Sequence, residues 1–215
     1  MEQMKNNFIV QAWLVLILAL CFGSSIASIN LALSPIIKTN KINETMEKVP
    51  ELVLGINGAA KLAISGKKLD INSQMVTIER KNSRISYKVF QAINEEEVSG
   101  WVVKASGQGY ADKIELLIGL DKTMESITGL FVLEQKETPG LGSKISQWDF
   151  RKQFVSKKTK SPIIPTKTGA SASNEIDAIT GATISSRSVC SIVNVAAKNV
   201  RTALAKTPFK INQEK

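Results

Sequence analysis

Two short stretches of this chain have residue types that suit work on a phosphate or on a ligand that approaches the backbone. The first is Asp177-Ala-Ile-Thr-Gly-Ala-Thr-Ile-Ser-Ser-Arg-Ser-Val189. Its residues predict a short strand over 176–179, a turn at Gly181, and a helix entered near Ser185 or Ser186, since Ser and Thr are favoured N-caps. Thr183 then holds its hydroxyl just ahead of a helix N-terminus. Unpaired N–H groups and the positive end of the helix dipole favour phosphate there, either bound or ester-linked to Thr183. Gly181 and Ala182 leave the backbone open to a bulky neighbour. The second stretch is Glu137-Thr-Pro-Gly-Leu-Gly142. Pro139 and Gly140 suit the two central positions of a type II turn, and Gly142 allows a second tight bend. Taken singly, a Ser/Thr-rich cap and a Pro-Gly hairpin turn are both common, so each stretch has a purely structural explanation as well.

Composition removes most of the competing chemistry. The 215 residues contain no His and two Cys. That excludes Ser-His-Asp and Cys-His catalysis, zinc sites of the His-bearing kind, and four-thiolate metal centres. A Ser or Thr nucleophile would need an activating base, and no Ser-x-x-Lys stands in a suitable place. Cys21 and Cys190 are not placed to form a disulfide, and Cys190 is expected to pack as a small apolar residue.

The elements that must position the two stretches can be read in chain order. No charged side chain occurs from Asn6 to Ile37, and the run from Phe8 to Leu33 is long and apolar enough for a membrane helix. Signal-peptide cores are shorter. The cluster of Gly23, Ser24, Ser25, Ala27 and Ser28 suits close approach of another membrane helix. Residues 38–56 read as a short amphipathic helix broken near Pro50, and 55–70 as a loop. From Met75 the pattern turns to period two. Ile85–Val89, Trp101–Val103, Ile114–Leu120 and Ile127–Leu133 then read as strands of an antiparallel meander, separated by turn residues. Residues 144–167 are strongly basic and Pro-containing, and are expected to form a surface excursion. Trp148 and Phe150 within it are expected to close the core. Val189, Ile192, Val193, Ala196, Val200 and Leu204 share one helical face, and that helix should stop before Pro208. The fold class implied is α+β: one N-terminal transmembrane helix, then a domain with an antiparallel sheet and a C-terminal helix. The expected division is a tail over 1–7, the span over 8–33, a juxtamembrane helix and linker over 34–74, the domain over 75–207, and a tail over 208–215.

Taken together and in order, the two stretches resemble the motifs of the covalent FMN-binding domain family. Asp-x-x-Thr-Gly-Ala-Thr-x-Ser over 177–185 is similar to its flavinylation motif, and Glu-Thr-Pro-Gly-Leu-Gly stands at the usual distance upstream. The family includes the G subunit of Rnf ion-translocating electron-transport complexes and the C subunit of the sodium-translocating NADH:quinone reductase. Gly109-Tyr-Ala-Asp-Lys-Ile-Glu-Leu-Leu-Ile-Gly119 favours the Rnf branch. The resemblance implies FMN bound covalently through a phosphoester to Thr183. Thr180, Gly181 and Ala182 would line its phosphate and ribityl end, and Glu137, Thr138, Pro139, Gly140, Leu141 and Gly142 its flavin. A flavin transferase would install the FMN, reading Asp177, Thr180, Gly181, Ala182, Thr183 and Ser185. It further implies an electron-transfer subunit, not catalytic alone, among other membrane subunits of an Rnf complex. The anchor would lie in the cytoplasmic membrane with the domain on the extracytoplasmic side. No metal is implied. The competing assignments are the quinone-reductase subunit, or a non-redox module whose basic segment holds an anionic lipid, polyanion or acidic subunit. A nucleic-acid role is not expected, because no aromatic ladder accompanies the lysines. The span and the residues before it carry one Lys and one Glu, so the whole net charge of +9 belongs to the residues after the span.

Overall fold

A computed structural model describes residues 8–80, 83–207 and 209. The expected tails over 1–7 and 208–215 lie outside the described residues, apart from Phe209. The chain divides into two compact units, residues 1–44 and 45–215.

Within the first unit the chain is helical from Phe8 onward, as part of α1 (Phe8–Ile64). This helix is long and apolar enough to cross a membrane. Trp13, Leu16, Phe22, Ile26 and Leu31 are all exposed, so the helix lacks the polar stripe of a soluble one. Two of its hydroxyls are satisfied internally: Ser24 and Ser25 both donate to the Cys21 carbonyl, at 3.0 and 2.7 Å. Such bonding is what a hydrocarbon environment demands of polar groups.

The second unit opens with the last part of α1. The loop expected over 55–70 is helical as far as Ile64, and the break expected near Pro50 falls instead at Gly55 (φ 72°, ψ 169°). The cause lies in the sheet beneath. Val49, Leu52 and Val53 are buried against Phe90, Ala92, Val102, Leu117 and Leu133. The helix comes this close because Gly119 and Gly129 face each other on neighbouring strands. A Cβ on Gly129 would stand 2.9 Å from Leu52 Cδ2, and one on Gly119 would overlap the Leu52 carbonyl. Thr128 Oγ1 donates to that same carbonyl at 2.5 Å. The carbonyl is thus satisfied from the sheet just where the helix bends. The stretch expected to be a linker is therefore packed as part of the folded unit from Thr45.

Five strands come next: β1 (Asp70–Arg80), β2 (Ser83–Asn94), β3 (Glu97–Gln108), β4 (Lys113–Asp121) and β5 (Ile127–Glu134). They form one antiparallel meander in sequence order, as the period-two pattern predicts. Alternation sends Tyr87, Val89, Val103, Ile114, Leu116 and Ile118 to the opposite face, into the main core. That face is covered by α3 (Thr183–Lys206), through Val189, Ile192, Val193, Ala196 and Val200. The sheet is thus sandwiched between two helices.

The basic stretch after the Pro-Gly turn is not a surface excursion. It forms a 3-10 turn over Gly142–Ser146, the short helix α2 (Trp148–Arg151) and a second 3-10 turn over Lys152–Phe154. Ile145, Phe150, Phe154 and Ile163 pin it to the main core. Phe150 closes the core as expected, but Trp148 does not, being 48% exposed, with the Arg151 guanidinium over its ring at 5.9 Å. The strand expected over 176–179 is β7 (Glu175–Asp177), which pairs in parallel with β6 (Ile164–Thr166).

Candidate functional site

Helix α3 begins at Thr183, two or three residues earlier than the serines suggest. Ser185 and Ser186 are not caps. They sit inside the first turn, and Ser186 reaches back to hold the segment before it. Ser186 Oγ donates to the Ala182 carbonyl and accepts from the Ile179 N–H, both at 3.0 Å. The Ala182 N–H closes a turn onto the Ile179 carbonyl at 2.9 Å, with Gly181 at φ 79°, a value that suits glycine. The N–H groups of Thr183, Ile184 and Ser185 belong to the first helical turn, which has no intrahelical acceptors for them.

The Pro-Gly turn takes the type II form its residues call for. Leu141 N–H donates to the Thr138 carbonyl at 3.2 Å, and Gly140 stands at φ 75°. The turn lies against the start of α3: a Cβ placed on Gly181 would meet Leu141 Cδ2 at 3.1 Å. Two stretches about forty residues apart in sequence thus share one groove of about 560 Å³. Thr138, Leu141 and Gly142 line it from the turn, and Gly181 to Ser185 from the helix start.

Thr183, Gly181, Ala182, Ser185, Thr138, Leu141 and Gly142 are therefore brought together as groove walls. Pro139, Gly140 and Thr180 are near it in sequence without lining it. Glu137 is buried behind the wall. Asp177 lies further back, where its carboxylate accepts the Ala170 N–H at 2.6 Å and its own N–H donates to Gln153 Oε1 at 2.7 Å.

Three lining residues were not among the expected ones: Tyr110, Lys167 and Ile184. Tyr110 stands in the stretch from Gly109 to Gly119, so its signal lay in family likeness and not in chemistry. Lys167 carries no sequence signal beyond its place in a basic run, and among the described residues it is the one charged side chain lining the groove. The connection that bears it, between β6 and β7, is tied down by Glu175. That carboxylate accepts the N–H groups of Ser171 and Ala172 at 3.0 and 3.1 Å, and these bonds hold it below the usual glutamate range.

No cluster of three metal-ligating side chains occurs among the described residues. Cys190 is buried in α3, and burial pushes its thiol up to about 12, which makes it inert. What the groove offers is a hydroxyl at a helix start, free first-turn amides, an apolar wall and one cation, a set that fits a phosphate-bearing planar ligand.

Comparison with known proteins agrees. Residues 109–198 match the family described as FMN-binding domain. The G subunit of the Na(+)-translocating ferredoxin:NAD(+) oxidoreductase complex of Acetobacterium woodii is 39% identical over 112 residues, covering 51% of this chain and 53% of that one. The C subunit of the Na(+)-translocating NADH-quinone reductase of Vibrio anguillarum is 32% identical over 119 residues, covering 52% and 46%. The chain thus spans about half the length of the curated relatives it matches. The crystal structure of NqrC from Shewanella oneidensis superposes with a TM-score of 0.61 over 79% of this chain and all of that one, at 16% identity, a likeness of fold. The segment holding both groove-forming stretches thus matches the FMN-binding domain family over residues 109–198, and about half of the chain is similar to G subunits of ion-translocating oxidoreductase complexes.

Proposed function

We propose that this protein is the membrane-anchored G-type subunit of an Rnf ion-translocating complex, with FMN esterified through its phosphate to Thr183. The observation that carries this is the meeting of the two stretches in one groove, with the Thr183 hydroxyl at the start of α3 and in its wall. A phosphodiester on Thr183 would lie in the field of the helix N-terminus, beside the first-turn amides. Leu141 and Tyr110 supply apolar surface for a ring system, and Lys167 supplies one positive charge. Bound FMN would supply the redox chemistry, accepting and passing electrons, while the chain positions it and sets its electrostatic surroundings.

The remaining parts of the proposal come from the same assignment. A flavin transferase would attach the FMN, and the exposed Gly181 would be open to it. The domain would work on the extracytoplasmic side, among the other membrane subunits of the complex. The higher identity to the G subunit than to the quinone-reductase subunit supports the Rnf branch.

The test is intact-mass spectrometry of the full chain, purified in detergent after co-expression with a flavin transferase. One FMN is expected on a peptide containing Thr183, with in-gel flavin fluorescence that survives denaturation. Thr183→Ala should abolish it. Covalent flavin retained in Thr183→Ala would refute the assignment.

A further inference from the structure

Glu137 is 4% exposed, and three segments distant in sequence close on its carboxylate. Ser185 Oγ donates to Oε2 from the first turn of α3. The Ala111 N–H donates to Oε1 at 3.1 Å from the bend between β3 and β4. Glu137 itself opens the Pro-Gly turn. The neighbours are shaped around it: a Cβ on Gly142 would stand 2.8 Å from Glu137 Cβ, 2.9 Å from Oε2 and 2.9 Å from Ser185 Oγ, and one on Gly109 would overlap Oε1. Among the described residues no cation pairs with it.

Ser185 and Gly142, which enclose this carboxylate, also form part of the groove wall. The charge is therefore held by dipoles alone, one side chain behind the ligand surface. In a water-poor site such a charge acts over several ångströms. We propose that Glu137 is a positioning residue that fixes the start of α3, the Pro-Gly turn and the Gly109–Ala111 bend relative to one another, and that its negative charge lowers the midpoint potential of the bound flavin. This rests on the flavin assignment made above.

Glu137→Gln and Glu137→Ala separate the two roles. A glutamine can accept the Ala111 N–H with its oxygen and donate its NH₂ to Ser185 Oγ, whose hydroxyl simply reverses. Shape and both bonds survive while the charge is lost. Alanine loses everything. The experiment measures covalent flavin per chain and midpoint potential in the full chain in detergent. It adds amide hydrogen exchange at Ala111 in protein made without the flavin transferase. Alanine should cut flavin loading about tenfold or more and speed Ala111 exchange to a similar degree, and glutamine should rescue both. In the glutamine variant the potential should rise, by on the order of tenfold in the reduced-to-oxidised ratio, or ~30 mV for a two-electron couple. Wild-type loading and exchange in Glu137→Ala would overturn the positioning role, as would a glutamine variant that behaves like alanine. An unchanged potential in Glu137→Gln would overturn the electrostatic role. Should Glu137→Ala not fold, Ser185→Ala takes its place, since it removes only the Oε2 donor. Wild-type protein that carries no flavin would count against the flavin assignment itself, while the exchange measurement would still decide the positioning role.

Discussion

Gly142→Ala tests whether the groove is built as closely as its geometry requires. The new methyl would meet three heavy atoms closer than ordinary contact: Glu137 Cβ at 2.8 Å, Glu137 Oε2 at 2.9 Å and Ser185 Oγ at 2.9 Å. Gly142 is buried, so the methyl has no way out to solvent. Overpacking of this kind costs ~1–3 kcal/mol. Displacing a buried hydrogen bond to a charged group adds ~1.5–3 kcal/mol. If half of the second cost is recovered by rearrangement, the loss is about 2–4.5 kcal/mol by these same figures. At roughly 2–4 °C per kcal/mol for a domain of this size, the midpoint should fall by about 4–18 °C. Thermal unfolding of the full chain in detergent, followed by tryptophan fluorescence, measures it, and covalent flavin per chain should fall in parallel. Gly140→Ala is the control. A Cβ there meets nothing within 4 Å, and only the positive φ of 75° opposes it, at ~1–3 kcal/mol, with the interior of the site undisturbed. A Gly142→Ala protein with wild-type midpoint and wild-type flavin content would refute the reasoning, because the clash would then have been relieved at no cost.

Other consequences can be measured in the same preparation. Gly129→Leu should unseat α1 from the sheet, since even a Cβ there lies 2.9 Å from Leu52 Cδ2 and 3.3 Å from its Cα; a protease should then cut between residues 45 and 64 at least tenfold faster, and unchanged cleavage would count against the packed helix. In a Cys21→Ser background, Cys190 should resist a maleimide at pH 7 in the folded protein and react on unfolding, because burial disfavours its thiolate. The bonds of Glu175 to Ser171 and Ala172 hold its carboxyl below the ordinary glutamate value of 4.5. Their stabilising effect is therefore full above that value and is lost as the pH falls through the depressed one. Amide exchange at Ser171 and Ala172, corrected for the intrinsic pH dependence, should lose protection below about pH 4.5, and Glu175→Gln should remove that pH dependence.

The meander and the last helix were legible because burial imposes a period on them. Ile114, Leu116 and Ile118 alternate on one strand, and Val189, Ile192, Val193, Ala196 and Val200 recur along one helix. The path of residues 45–64 was not legible, because it depends on a seat far away in sequence. Gly119, Thr128 and Gly129 look like ordinary strand residues until Leu52 lies upon them. The basic stretch misled for a related reason. Its lysines dominate the composition, while four scattered apolar residues, Ile145, Phe150, Phe154 and Ile163, decide where the chain runs. In the groove, Thr183 and Gly181 could be named from turn and cap chemistry, and Leu141 only from the family resemblance. The start of α3 was misplaced because Ser185 and Ser186 use their hydroxyls on Glu137 and on the Ile179–Ala182 turn, not on capping.

Several cations of the basic run over 144–167 have identifiable partners. Had the lysines of 144–167 formed one open face, a polyanion or acidic partner would be the natural occupant of that face. Four of the run's seven cations are engaged within the chain. Lys152 pairs with Asp149 at 2.6 Å and Lys160 with Glu125 at 2.6 Å. Lys158 donates to Ser126 Oγ at 2.7 Å. Arg151 donates to the Leu130 carbonyl at 3.1 Å and lies over the Phe131 ring. Exposed pairs of this kind contribute little to stability, but each directs its cation toward the chain's own groups and away from a common surface. Lys167 has a different setting. It stands in the wall of the groove, on a connection held by Glu175 and Asp177, across from the start of α3. A cation placed there adds to the field of the helix terminus, where the proposed phosphodiester would lie, so the charge that first suggested an external polyanion is better accounted for at that one position by an anion the protein carries itself.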